Sequence, residues 1–145
     1  MINKAAFRAI RESVGMTQQT LADELGVEVR SVKRWEREYD NGWYQPPQDA
    51  WDVLRAAQER QRQAVETALG KVDEIDAAVG RPPVSVALLY WLSEDDYLAF
   101  STDAAHGVAG DWRMANANAR AVAVALNVIG VDVEWRNGAD GLANQ

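Results

Sequence analysis

Apolar side chains recur at helical spacing near the start of the chain. Phe7, Ile10 and Val14 lie three and four apart, which predicts a helix over residues 3–14, stopped by Gly15. Thr17 is a good N-cap for a second helix, and Leu21, Ala22 and Leu25 supply its buried stripe. Gly26 ends that helix, as a residue needing positive φ would, and Val27 is expected to plug the core at the turn. Glu28 can cap a third helix over 29–38, with Val32 and Trp35 facing inward. Residues 39–45 form a turn-rich loop around Asp40, Asn41 and Gly42. Pro47 suits the first turn of the helix that follows. Over 48–79, Trp51, Leu54, Gln58, Gln61, Val65, Ala68, Val72, Ile75 and Val79 alternate in steps of three and four. This is a heptad seam, apolar at both ends and polar between. It fits packing against a partner chain or against the chain's own C-terminal region, and the pattern alone leaves both open.

Gly80, Arg81, Pro82 and Pro83 break the helix and mark a boundary. Residues 84–92 are apolar and rich in β-branched and aromatic types, which predicts a buried strand. Ser93 before Glu94, Asp95 and Asp96 is a helix start, with acids at the positive end of the dipole. Residues 102–110 are a loop of small side chains. Asp111 can cap a helix to about 129, whose buried face would be Ala115, Ala119, Val122, Leu126 and Ile129. Gly130 stops it, and 131–135 alternate as a second strand. The Gly- and Asn-rich tail from Asn137 is expected to fray. The fold class that follows is α+β, mainly α.

Composition narrows the chemistry. The chain has 145 residues, 48% hydrophobic and 26% charged, enough for one compact unit or two small ones. It has no cysteine, so disulfides and thiolate metal sites are excluded, and its single histidine, His106, cannot build a multi-histidine site. No apolar run is long enough to span a bilayer and no basic-then-apolar leader opens the chain, so a soluble cytoplasmic protein is expected, with no membrane partner. Net charge is −7, but it is unevenly spread. Residues 1–39 carry seven bases and six acids, the remainder eight bases and sixteen acids, and four of the seven bases fall within 30–37. An acidic body behind a basic face would weaken non-specific binding to nucleic acid and leave specificity to local contacts.

The segment Thr17-Gln18-Gln19-Thr20-Leu21-Ala22, then Gly26-Val27, then Val32-Lys33-Arg34-Trp35-Glu36 has a packing logic. Ala22 is small where the third helix crosses, Gly26 makes the tight turn, and Val32 with Trp35 fix the third helix on the other two. Val29, Arg30, Lys33, Arg34 and Arg37 are left outward, and a helix so mounted fits the major groove. At these motifs residues 3–55 resemble the Cro/C1-type, phage-repressor-like helix-turn-helix family, in which T-Q-x-x-L-A-x-x-L-G-V precedes a hydrophobic residue, two others and W-E. The resemblance implies double-stranded DNA as partner. It places Gln18 at a phosphate and against a base-reading side chain, Val29, Arg30 and Arg34 at bases, and Ser31 and Lys33 at the DNA backbone; Gln19 and Arg37 are further candidates for DNA binding. It makes Arg11 and Glu36 a buried salt bridge between helices one and three. The loop after the third helix departs from the family by being longer and holding Tyr39, Trp43 and Tyr44.

A weaker resemblance covers the remainder. The order of elements and the Asp111-Trp112-Arg113 helix start are similar to YdiL-like, anti-CRISPR-associated regulators. That implies a homodimeric repressor of a phage or mobile-element operon, with RNA as a further partner of some members. The expected organisation is a helix-turn-helix head at 1–47, a long helix at 48–80, a strand-helix-strand dimerisation region at 81–137 and a flexible tail at 138–145. Alternatives stand beside this reading. Val29 can be core instead of facing a thymine methyl, and the Trp43–Tyr44 loop can cover the Trp51 end of the long helix instead of touching DNA or RNA. Residues 84–136 can form an effector- or partner-sensing module, antitoxin-like, for which Asn116, Asn118 and Arg120 are the polar candidates. No catalytic motif, metal cluster or cofactor loop is present, and His106 lacks an orienting acid, so no enzyme activity, metal or cofactor is expected.

Overall fold

The computed structural model describes residues 3–38, 44–102 and 111–143. The chain divides into two compact units, Met1–Arg60 and Gln61–Gln145. Helix α4, Gln48–Val79, contributes to both.

In the first unit, α1 (Lys4–Ser13) is capped by Asn3, whose side chain accepts from the Ala6 N–H at 2.6 Å. Helix α2 (Gln18–Leu25) is capped by the Thr17 hydroxyl, which accepts from the Thr20 N–H at 3.0 Å, and is closed by Gly26 at φ 67°. That backbone conformation disfavours any residue with a Cβ. Helix α3 (Val29–Glu36) ends two residues before the predicted boundary, because Arg37 adopts extended backbone. Glu28 occupies the N-cap, but its carboxylate makes no cap hydrogen bond and pairs with Arg30 instead. The core is Phe7, Val14, Met16, Leu21, Ala22, Val32, Ala50, Trp51, Leu54 and Ala57. Phe7 sits at its centre, meeting the rings of Trp35 and Trp51 edge-on at 6.3 and 5.2 Å. Val27 does not plug this core and is 38% exposed. Its backbone N–H is spent on the helix closure, donating to the Ala22 carbonyl, and its side chain stays at the surface.

In the second unit, β1 (Ser85–Leu89) and β2 (Asp132–Arg136) pair in parallel, Val86 with Val133 and Leu88 with Trp135. The crossover between them contains α5 (Glu94–Phe100) and α6 (Trp112–Val128). Val72, Val122, Leu126 and Val131 form the core, flanked by Ala64, Val65, Ala68, Leu69, Val86, Leu88 and Val133. The seam of α4 therefore packs on its own C-terminal region between residues 64 and 72. Gln58, Ile75 and Val79 of the same seam are exposed.

The structure departs from the sequence reading at several points here. The predicted strand over 84–92 is shorter, and only alternate residues are covered, so it is half-buried rather than buried. The buried face of α6 is Met114, Asn116, Ala117, Val122, Ala123 and Leu126, while Ala115 and Ala119 are half-buried and Ile129 is 51% exposed. Residues 138–143 of the expected frayed tail form a short helix, α7 (Gly138–Ala143), started by the Asn137 side chain accepting from the Asp140 N–H at 2.9 Å. The architecture is α+β, mainly helical. Among the described residues no helix is long and apolar enough to cross a membrane.

Candidate nucleic-acid interface

The orientation of α3 follows from what it buries. Val32 is fully buried, and Trp35 lies against Phe7. The Glu36 carboxylate is folded inward, its side chain 3% exposed. With 3.6 residues per turn, Arg30, Arg34 and Arg37 then fall opposite Val32, and Lys33 on the flank. Arg30, Lys33 and Arg37 are exposed, and Arg34 is half-buried. Val29 and Ser31 are half-buried at the start of the helix.

One ion pair fixes this helix to α1. Arg11 Nε donates to Glu36 Oε2 at 2.6 Å and Nη2 to Oε1 at 2.7 Å, a two-pronged contact. Nη1 donates to the Met16 carbonyl at 2.8 Å. The Arg11 side chain is 8% exposed. Gln18 Nε2 reaches the same carboxylate at 3.4 Å, so the start of α2 is tied to the end of α3. Gln19 is exposed and donates to Asp23 Oδ1 at 2.7 Å, within its own helix.

The cations differ in what already holds them. Arg30 Nε lies 2.6 Å from Glu28 Oε2, both side chains largely exposed. Such a pair is weak in water. Among the described residues Lys33, Arg34 and Arg37 have no acidic partner. Arg8 and Glu12 form an exposed pair at 2.8 Å on α1, where the hydrogen bond from Arg8 holds the Glu12 carboxyl below its usual range.

Sequence reasoning missed Lys4. Its ammonium donates to the Arg34 carbonyl at 3.0 Å and to the Tyr44 carbonyl at 2.9 Å. A cation there suits the negative end of α3. The bridge joins positions 30 and 40 residues apart, and no local pattern announces it. Tyr44 is 47% exposed, and the Arg34 guanidinium lies over its ring. Tyr39, Trp43 and His106 lie outside the described residues.

Outside the head, the proposed polar candidates separate. Asn116 is 2% exposed, and its amide closes on the Trp91 backbone, accepting from the N–H and donating to the carbonyl, both at 2.8 Å. It is a structural bridge, not a pocket group. Arg120 instead donates to the Tyr90 hydroxyl at 2.9 Å and lines an open groove of about 470 Å³ with Leu92, Trp135, Arg136, Asn137 and Asp140.

The geometry of α1–α3 agrees with a comparison against protein families. Residues 7–41 match the helix-turn-helix family. This is the Cro/C1-type, a family of DNA-binding transcription regulators and not of enzymes. Residues 7–41 thus carry a helix-turn-helix of the DNA-binding type, in which α2 and α3 are the paired helices. Positions 39–41 of the match lie outside the described residues. No curated protein matches the chain.

Proposed function

We propose that the protein is a sequence-specific regulator of transcription that binds double-stranded DNA as a dimer on an inverted repeat. The observation that carries the reading is the outward side of α3. Arg30, Arg34, Arg37 and Lys33 stand away from a helix whose other side is held by Val32, Trp35 and the Arg11–Glu36 pair. Helix α3 enters the major groove, and Val29, Arg30 and Arg34 meet base edges. Gln18, Gln19, Ser31, Lys33 and Arg37 meet the phosphate backbone. An autoregulating repressor of a phage or mobile-element operon, acting in the cytoplasm, is the finer role, and it rests on the resemblance to such regulators.

Surface chemistry supports the dimer. The second unit leaves Val79, Val84, Val124, Val128 and Ile129 between 51% and 80% exposed. Val84 accepts from the Asp132 N–H at 3.0 Å, so it sits beside the turn that follows Ile129. The two strands pair in parallel, and Ser85, Ala87 and Leu89 of β1 are exposed. Parallel sheets are normally covered on both faces, and two strands alone are marginal. A second copy packed on residues from about Val65 onward covers this surface, and a dimer supplies the two heads that half-sites about 34 Å apart, one turn of duplex, require.

Light scattering at micromolar concentration tests the assembly. A dimer is expected, and a chain ending at Gln63 should be monomeric with most operator affinity lost. A monomeric full-length protein that still binds its operator tightly would refute the model. The groove lined by Tyr90, Arg120 and Trp135 supports a second reading, in which the C-terminal unit senses an effector or partner and the head reports it.

A further inference from the structure

Three observations converge on Arg34. Its guanidinium carbon lies over the Tyr44 ring, 5.0 Å from the centroid. Lys4 clamps the backbone on both sides of that contact, donating to the Arg34 carbonyl at 3.0 Å and to the Tyr44 carbonyl at 2.9 Å. Among the described residues no carboxylate or carbonyl takes the guanidinium's own N–H groups. Arg30, on the same side of α3, is held differently, by the exposed Glu28 carboxylate.

We propose that Tyr44 and Lys4 are positioning residues that set the specificity of Arg34, an inference that rests on the reading of α3 as the base-reading helix. An arginine on a helix surface samples many rotamers, and ordering it on DNA costs entropy. Attraction to the face of an aromatic ring restrains the guanidinium without a hydrogen-bond acceptor, so it consumes none of the five N–H donors. Those donors stay available for the O6 and N7 edge of guanine, which takes two parallel bonds from one arginine. The ring works only if its backbone is fixed relative to α3. Lys4 does this, joining the end of α3 to the returning chain through the start of α1. Tyr44 thereby pre-orders the reading head.

The test compares Tyr44→Leu, Tyr44→Phe, Arg34→Ala and the Arg34→Ala/Tyr44→Leu double variant in the full-length protein. Each is titrated with the site selected from a randomised DNA library and with copies changed at each single base pair. Thermal melting confirms that each variant is folded. Tyr44→Leu should lower discrimination at the base pair read by Arg34 by about two- to fivefold and leave other positions and the salt dependence unchanged. Tyr44→Phe keeps the ring and should behave as wild type, which assigns the effect to the ring and not to the hydroxyl. In the Arg34→Ala background the leucine change should add nothing. A uniform loss of affinity on all sites, or full discrimination by Tyr44→Leu while Arg34→Ala relaxes its position, would overturn the proposal. If Arg34→Ala itself relaxes no position, the base-reading role of Arg34 falls first, and this inference with it.

Discussion

Replacing Glu36 by Gln changes one oxygen for an NH₂ group, yet it should be the most damaging conservative change in the head. Both carboxylate oxygens accept from Arg11, at 2.6 and 2.7 Å, in a site where the two side chains are 3% and 8% exposed. The carboxamide keeps only one accepting oxygen, and its NH₂ would face a guanidinium N–H. Arg11 would then stay buried without a counter-charge. Breaking a buried pair from one side costs about 3–5 kcal/mol. The lower end applies, because Nη1 keeps the Met16 carbonyl and one oxygen still accepts. About 3 kcal/mol in a unit of this size lowers the melting midpoint by about 12–24 °C. Thermal denaturation followed by circular dichroism reads this directly. Two comparisons sharpen it. Glu12→Gln removes a carboxylate whose side chain is 55% exposed, and should melt with wild type. Arg11→Met/Glu36→Met removes both charges and should recover much of the loss, since the cost lies in the stranded partner. An unchanged midpoint for Glu36→Gln, or one equal to that of Glu12→Gln, would refute the argument.

Other consequences follow from single contacts. Asn116→Leu strands the N–H and carbonyl of Trp91, each at about 1–3 kcal/mol, and should lower the urea midpoint; an unaltered midpoint would mean that the bridge is dispensable. A Cβ at Gly138 would lie 2.8 Å from the Trp91 ring and 2.9 Å from Phe100 Cβ, so Gly138→Ala should destabilise the second unit by about 1–3 kcal/mol in the same assay, unless α7 moves aside freely. Gln18→Ala should weaken binding to the selected site with little change in base preference; titrations on single-base variants that show a loss of preference like that of Arg34→Ala would contradict its phosphate assignment.

The head was legible because its signals are local. Thr17 caps, Gly26 turns, and Val32 with Trp35 keep helical spacing, so pattern alone sets the mount of α3. Where contrast was weak, the reading slipped. The Ala-rich stretch of α6 offers little difference between its faces, and the buried side proved to run through Met114 and Ala117, with Asn116 drawn inside by the distant Trp91 backbone. The apolar run after Pro83 predicts a buried strand, but only alternate residues of β1 are covered, in a sheet of two strands among the described residues. The Lys4 bridge to Arg34 and Tyr44, and the nesting of Gly138 against Asp96, Trp91 and Phe100, are purely tertiary.

The central claim is that this acidic chain reads a specific DNA sequence through α3. Selection of the full-length protein against a randomised duplex library tests it most directly. Enrichment of an inverted repeat, with half-sites about one helical turn apart and one position relaxed by Arg34→Ala, is the predicted result. A library returned without any enriched sequence, or one enriched identically by wild type and Arg34→Ala, would contradict it.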